Sequence, residues 1–233
     1  MNRVAIIPAR GGSKRIPKKN IRDFCGQPII AYSIQAANES GCFDAIIVST
    51  DDEEIAAVAR SYGAEVPFVR PPEYSNDTIG TIPVTAHAVR WFEEHREPVT
   101  YACCIYATAP FLRPEDIRRG LEALESEGAD YAFSVTSFGF PIQRAVRILP
   151  SGRAGMFQPE HFNTRSQDLE EAYQDAGQFY WGKPEAWKAG IPMFSEAAVP
   201  VVLPRYRVQD IDTEEDWKRA ELMYRAIELS EER

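Results

Sequence analysis

The sequence predicts an α/β protein in which helices cover both faces of a mostly parallel sheet. Short apolar runs alternate along the chain with amphipathic segments of helical period, and this alternation is typical of such sheets. The composition, with 44% hydrophobic and 26% charged residues, is that of an ordinary globular protein and excludes disordered, collagenous and coiled-coil classes. The 233 residues suffice for one large domain, and we expect a single domain over residues 1–233.

The strands are predicted from apolar runs that end at turn residues. The first run ends at Pro8, and the fourth, which follows Pro98, is the most apolar. In chain order the expected strands are 3–7, 45–49, 65–69, 99–106, 131–136, 178–181 and 199–203.

The helices are predicted from apolar residues that recur at spacings of three and four. Pro28 and Pro114 suit the first turn of two of them, because the fixed φ of proline fits that position. Thr213 and Asp216 form a capping box, which indicates where the last helix begins. In chain order the expected helices are 28–38, 53–62, 81–95, one from 114, 184–189 and one from 213.

Residues 138–175 interrupt this regular alternation. Prolines and glycines recur there, and neither a helical nor a strand period persists. An irregular segment of this length in a compact domain is usually a lid, a binding loop or an assembly arm.

The chain is expected to work in the cytoplasm and away from membranes. Only about four apolar residues precede Pro8, too few for the apolar region of a signal peptide. No uncharged stretch exceeds 15 residues, which is too short for a membrane span. The cysteines lack C-x-x-C spacing and are expected to be reduced, buried thiols: Cys25, Cys42, Cys103 and Cys104.

Positive charge is concentrated in one loop of an acidic chain. The formal net charge is −9, which argues against nonspecific nucleic-acid binding. Residues 10–22 nevertheless hold six basic residues and no acid, where an even spread of the 26 basic residues would place roughly 1.5. The loop follows the first strand and therefore lies where open α/β sheets bind ligands.

The same loop contains a glycine pair that predicts a phosphate site. Gly11 and Gly12 end the first strand, and glycine allows backbone N–H groups to approach an anion closely because it adopts positive φ and lacks a side chain. Arg10, Lys14 and Arg15 add positive charge, so residues 9–15 are called the cradle below. The motif is neither a Walker A loop nor G-x-G-x-x-G, and a solvated basic turn is the alternative.

Asp210 and Asp212, called the aspartate pair below, stand just before the capped last helix. In an extended segment residues i and i+2 point the same way, so the two carboxylates can converge while Ile211 faces the core. Two oxygen ligands leave most of an octahedral shell to waters and phosphates, which is how Mg²⁺ is usually held. The alternative is a pair of acids that only favour the helix N-terminus.

Four segments together resemble the CMP-sugar synthetases, the cytidylyltransferases of sialic acid and related nonulosonic acids. The resemblance extends in order over nearly the whole chain and implies the three-layer Rossmann-like fold of nucleotide-diphospho-sugar transferases. The segments are the P-A-R-G-G-S-K-R opening with Lys19 and Asn20, Arg70-Pro71 with Asp77 and Thr81, Thr108 to Arg113, and Asp210 to Thr213.

The resemblance implies that the anomeric hydroxyl of an acidic sugar attacks the α-phosphorus of CTP and pyrophosphate leaves. Arg70 and Thr81 would lie near the cytidine, the aspartate pair would bind Mg²⁺, and Arg10 and Lys14 would act in catalysis together with that pair. The residues that would hold the triphosphate are Ala9, Arg10, Gly11, Gly12, Ser13, Lys14, Arg15 and Asn20.

The sugar half resembles the pseudaminic acid branch of the family more than the sialic acid branch. Tyr106 replaces the glutamine of sialate enzymes, and a tyrosine ring suits a sugar with a deoxy terminus and acylated amines. By resemblance, Arg165 would pair with the sugar carboxylate, and residues 138–175 would form an inserted arm of a homodimer. The other expected sugar contacts are Thr108, Gln143, Gln178, Phe179 and Tyr180.

The expected product is therefore CMP-pseudaminic acid, for surface glycan or flagellin glycosylation. Legionaminic acid and N-acetylneuraminic acid are the alternative sugars. A nucleotide-binding protein without transferase activity is the alternative from another class. The identity of the general base is left open by the sequence.

Overall fold

The computed structural model describes residues 2–231 and places a six-stranded sheet between two layers of helices. Its strands are β1 (Arg3–Pro8), β2 (Asp23–Phe24), β3 (Gln27–Pro28), β4 (Ala45–Ser49), β5 (Tyr101–Ile105), β6 (Tyr131–Ser137), β7 (Val146–Ile148), β8 (Ala154–Met156), β9 (Tyr173–Gly182) and β10 (Ala198–Val202). Its α-helices are α1 (Ile29–Ser40), α2 (Glu53–Ser61), α3 (Thr81–His95), α4 (Pro114–Glu127), α5 (Pro184–Ala189) and α6 (Glu214–Glu231).

The central sheet is mostly parallel, as the sequence predicts. Its strand order is β10-β6-β9-β5-β1-β4. β1 runs parallel to β4 and β5, and β6 runs parallel to β10, whereas β9 is antiparallel to both of its neighbours. Because β9 runs the opposite way, its first residues lie at the edge where the parallel strands end.

The two faces of the sheet carry separate apolar clusters. One cluster joins the sheet to α1, α2 and α4, and the other joins it to α3 and α5. The adjacent residues Cys103 and Cys104 belong to different clusters, as alternation along a strand requires. The expected three-layer α/β/α arrangement is confirmed.

The predicted third strand does not form. Residues 65–69 make only two isolated bridges, from Glu65 to Ile47 of the edge strand β4 and from Val69 to Thr50 just after that strand. Pro67 stands between these bridges, and proline lacks the N–H that a continuous ladder needs. The segment therefore follows the sheet edge without joining it as a strand.

The irregular segment contains a small hairpin of its own. β7 and β8 pair antiparallel within the predicted arm, apart from the central sheet. β9 begins at Tyr173, so the last three residues of the predicted 138–175 segment belong to the sheet. Residues 1, 232 and 233, which the expected domain limits include, lie outside the described residues.

No helix found between residues 2 and 231 combines the length and apolar character needed to cross a membrane. All four cysteines are free thiols, and Cys42, Cys103 and Cys104 are buried as expected, whereas Cys25 is only half-buried.

Candidate active site

A cleft of about 540 Å³ opens at the edge of the sheet where β1 and β5 end. The cradle and the following loop form one wall. Residues 70–84 form the opposite wall, and residues 106–108, which follow β5, lie between them. Asp212 joins the cleft from the segment before α6, so stretches distant in sequence meet at one place.

The cradle is held in shape by hydrogen bonds at its base. The buried Asn20 donates from Nδ2 to the carbonyl oxygen of Arg10 at 3.0 Å. Gly11 donates from its backbone N–H to Asp51 Oδ1 at 2.9 Å, which ties the turn to the N-terminus of α2. The predicted phosphate residues Arg10, Ser13, Lys14, Arg15 and Asn20 all line the cleft, while Ala9, Gly11 and Gly12 belong to the turn behind them.

The glycine pair does not adopt the positive φ that was expected of it. Neither Gly11 nor Gly12 has a positive φ, so neither is required for a left-handed backbone. A Cβ on Gly11 would lie 2.6 Å from Asp52 Oδ2, closer than side-chain carbons ever approach, whereas a Cβ on Gly12 would meet no heavy atom within 4 Å. Gly11 is thus needed for close packing against α2, and Gly12 leaves the surface of the turn open.

Each cation of the basic loop is paired with a carboxylate from another part of the chain. The sequence therefore identifies the charge cluster correctly but not its partners. The pairs are Arg10 and Lys14 with Asp77, Arg15 and Lys19 with Asp212, Lys18 with Glu54, and Arg22 with Glu214.

The structure brings only one member of the aspartate pair to the cleft. Ile211 between them is buried, as expected. Asp212 lines the cleft, whereas Asp210 is not among the lining residues, although its charge interacts with that of Asp212. Desolvation by the surrounding protein and the like charge of Asp212 raise the pKa of Asp210. The capping box is formed, with Thr213 donating from its backbone N–H to Asp216 at 2.8 Å.

The donor set fits a cation that keeps most of its own shell. Among residues 2–231, no three His, Cys, Asp or Glu side chains group closely enough to enclose a metal ion. One or two carboxylates beside the predicted phosphate residues would instead suit Mg²⁺, which usually takes one or two protein carboxylates with waters and phosphates.

The wall opposite the cradle presents a buried guanidinium. Arg70 is 3% exposed, and its Nη2 has no hydrogen-bond partner among the described residues, although Asp51 lies 3.8 Å away. Burial lowers the pKa of Arg70. Nearby, the hydroxyls of Thr81 and Tyr106 are hydrogen-bonded at 2.9 Å, and burial raises the pKa of Tyr106, which keeps its phenol neutral.

The predicted sugar residues separate into two groups. Tyr106 and Thr108 line the cleft. Gln178, Phe179 and Tyr180 do not, because β9 buries them. Phe179 packs toward α4 on the α1, α2 and α4 face of the sheet, Gln178 donates to the carbonyl oxygen of Arg207 at 2.6 Å, and Tyr180 donates to Asp175 at 2.6 Å. These three are interior residues of the sheet rather than walls of the cleft.

Gln143 and Arg165 lie on the irregular segment, outside the residues that line the cleft. Gln143 donates to the carbonyl oxygen of Glu170 at 3.0 Å, and Arg165 pairs with Asp168 at 2.7 Å. The side chain of Arg165 is 71% exposed. Because neither Gln143 nor Arg165 lines the cleft, neither lies in the site of its own chain.

The sequence-based prediction placed Arg70 and Thr81 in the site but gave no role to the residues between them, which face the cradle. Tyr74, Asn76, Asp77, Ile79 and Gly80 all line the cleft. Their polar and turn-forming character after Pro71-Pro72 was the available signal, but nothing in local sequence shows that this loop crosses to the end of β1. Lys19 also lines the cleft; the sequence analysis named it in the opening motif but gave it no role.

The fold and the cleft at the ends of its parallel strands define a protein with a candidate ligand site, and comparison with known proteins gives the family. A family model described as "Cytidylyltransferase" matches residues 4–186, and the chain belongs to this family. The structure is similar over 97% of this chain to a solved CMP:2-keto-3-deoxy-manno-octonic acid synthetase complexed with CTP, covering 99% of that chain, with a TM-score of 0.68 and 16% identity. This similarity supports the fold assignment.

Two relatives are more similar to this chain in sequence than that solved structure is. The chain is 43% identical over 225 residues to a pseudaminic acid cytidylyltransferase of Campylobacter jejuni subsp. jejuni, covering 97% of both chains. It is 33% identical to a CMP-N,N'-diacetyllegionaminic acid synthase of Legionella pneumophila, covering 100% of this chain and 99% of that protein.

Proposed function

We propose that this cytidylyltransferase makes CMP-pseudaminic acid and pyrophosphate from CTP and pseudaminic acid. One observation carries the proposal: the cradle and Asp212 line the same cleft in a chain that is 43% identical, over 97% of its length, to a pseudaminic acid cytidylyltransferase. The anomeric hydroxyl of the sugar gives up its proton to solvent, and its oxygen bonds to the α-phosphorus. The bond from that phosphorus to the bridging oxygen breaks, and pyrophosphate leaves with the electron pair.

In this proposal the cations of the cradle bind the triphosphate and neutralise its charge. In phosphoryl chemistry a protein contributes mainly by positioning the groups and neutralising the charge that develops on the leaving phosphates. Arg10, Lys14, Arg15 and Lys19 supply positive charge on one wall, and Ser13 adds a hydroxyl donor. Arg70, buried on the other wall with an unused donor, suits the nucleoside end together with Thr81.

Mg²⁺ is proposed as the cofactor, held by Asp210 and Asp212. Bound there, it would neutralise phosphate charge next to the reacting phosphorus. The chain's own contribution would be to fix the backbone of the two carboxylates, through the buried Ile211 and the capping box of Thr213 and Asp216.

A homodimer is proposed from the surface of the irregular segment. Large apolar side chains are exposed there, including Phe140 at 87% and Ile148 at 85%. Single exposed apolar residues are ordinary, but a group on one projecting segment indicates a covered surface. A second copy of the chain would cover it and would bring the segment's Gln143 and Arg165 toward a neighbouring cleft. Because CTP is an intracellular metabolite, we place the reaction in the cytoplasm. We also propose that residues 1–233 form a single domain.

The experiment is pyrophosphate release by the purified protein with CTP, Mg²⁺ and one sugar at a time. The sugars are pseudaminic acid, legionaminic acid and N-acetylneuraminic acid. We expect release to require both CTP and sugar, to stop when EDTA removes Mg²⁺, and to have its highest kcat/KM with pseudaminic acid. A higher kcat/KM for either other sugar would overturn the substrate assignment, and CTP binding without release would leave only a nucleotide-binding protein.

A further inference from the structure

Asp77 bridges the two cations that the proposed function assigns to the triphosphate. One of its carboxylate oxygens contacts Arg10 Nη1, and the other contacts Lys14 Nζ. The contact joins residues more than 60 positions apart in the chain, across the cleft. The hydrogen bonds from Lys14 and Arg10 lower the pKa of Asp77, which therefore remains an anion.

A local turn brings Asp77 to this position. The side-chain oxygen of Asn76 accepts from the backbone N–H of Thr78 at 3.0 Å and of Ile79 at 2.9 Å. Its amide group donates to the carbonyl oxygen of Glu73 at 3.0 Å. These bonds shape the loop on either side of Asp77 independently of the two cations, so the carboxylate is held over the cradle by its own segment.

The charge balance of the cleft leaves Asp77 without a role in the reaction as proposed. Five cations and two carboxylates line the cleft, a formal net charge of +3. One of the carboxylates, Asp212, is assigned to the metal ion. The other, Asp77, lies where it opposes a triphosphate, because phosphate oxygens and a carboxylate compete for the same N–H groups of Arg10 and Lys14.

We propose that Asp77 is an internal counter-anion of the triphosphate site. In the free enzyme Asp77 holds the side chains of Arg10 and Lys14 in position within the cradle. The phosphates of CTP displace Asp77 from the two cations. When pyrophosphate leaves, Asp77 pairs with the cations again. The inference rests on the proposed function, since it assumes that these two cations bind the phosphates. It assigns Asp77 a positioning role that weakens phosphate binding and favours product release.

The exchange is energetically accessible because both contacts are exposed. The side chain of Asp77 is 45% exposed, and those of Arg10 and Lys14 are 36% and 78% exposed. Exposed ion pairs contribute little net stability, so two of them together should weaken phosphate binding by roughly twofold to thirtyfold. The folded chain should not depend on Asp77, and its removal should tighten binding without lowering the melting temperature.

The experiment compares Asp77→Asn with Glu54→Gln. Both variants remove one negative charge that contacts the basic loop, but Glu54 pairs with Lys18, which does not line the cleft. Affinity for inorganic tripolyphosphate is measured by calorimetry at fixed ionic strength, and inhibition by pyrophosphate is measured in the CTP reaction. Asp77→Ser is made in parallel, and thermal melting checks that every variant is folded.

We expect Asp77→Asn and Asp77→Ser to bind tripolyphosphate roughly twofold to thirtyfold more tightly than the parent, with pyrophosphate inhibition stronger by a similar factor, and Glu54→Gln to match the parent. Unchanged or weaker tripolyphosphate binding by folded Asp77 variants would overturn the inference. An equal gain in affinity in Glu54→Gln would also overturn it, because the gain would then come from the net charge of the protein and not from the position of Asp77. Tripolyphosphate binding is read without any sugar, so a wrong substrate assignment would not affect this result.

Discussion

Alanine substitutions at the two neighbouring glycines of the cradle separate packing from phosphate binding. In Gly11→Ala the new Cβ would lie 2.6 Å from Oδ2 and 2.8 Å from Cβ of Asp52, so one group must move by about 0.6–0.8 Å to reach ordinary contact. Asp52 caps α2 by accepting from the backbone N–H of Ile55 at 3.0 Å. In Gly12→Ala the new Cβ meets no heavy atom within 4 Å.

The structure predicts different losses of stability for the two variants. Overpacking of this kind costs about 1–3 kcal/mol, and moving Asp52 would also weaken a helix cap. For a chain of this size the melting temperature of Gly11→Ala should fall by about 2–12 °C. Gly12→Ala should melt at or slightly above the parent temperature, because alanine reduces the entropy of the unfolded chain at a compatible backbone position.

Thermal melting and calorimetric titration with CTP are the two assays. We expect Gly12→Ala to keep its stability and to bind CTP more weakly, because the methyl group would stand between the backbone and the phosphates. Gly11→Ala should lose both stability and affinity. A parental melting temperature for Gly11→Ala would refute the packing argument, and parental CTP affinity for Gly12→Ala would refute the close approach of the backbone.

Two other predictions concern a buried ion pair and the proposed dimer surface. Asp116→Ala should destabilise the fold by about 3–5 kcal/mol in denaturant titrations, because it leaves the buried Arg207, now 2.6 Å from Asp116, without its carboxylate. The neighbouring Glu115→Ala, which breaks only an exposed pair, should cost about 1 kcal/mol or less, and equal losses would contradict the burial argument. Ile148→Ser should shift the sedimentation mass toward the monomer, whereas Leu229→Ser, equally apolar and also exposed, should not; a parental mass for Ile148→Ser would argue against this dimer surface.

The sheet was predictable from sequence where a strand is a local apolar run. β1, β4, β5, β6 and β10 each appear as such a run, and the helix predicted at 28–38 forms as α1, with Ile30, Ile34 and Ala37 buried at helical spacing. The direction of β9 was not predictable, because an apolar run carries no information on whether its neighbours run parallel or antiparallel. The strand predicted at 65–69 was wrong because one proline outweighs the apolar character of its neighbours.

Whether a predicted site residue lines the cleft depends on where its backbone lies in the fold. Residues that follow the ends of parallel strands, such as Arg10 and Thr108, line the cleft because those ends meet at one edge. Phe179 was assigned by resemblance but lies within β9, where the alternation of a strand points it into the core. Asp77 was named only as part of a motif, because its partners are more than 60 residues away and no local pattern reveals them.

The most direct test of the central claim is pyrophosphate release by Lys14→Ala and Asp212→Asn with CTP, Mg²⁺ and pseudaminic acid. The claim is that the cradle and the aspartate pair act on one nucleotide in one cleft. It predicts that each variant keeps the parental melting temperature and loses at least about a hundredfold in turnover, since each removes charge stabilisation at the reacting phosphates. Turnover near the parental rate in both variants would contradict it.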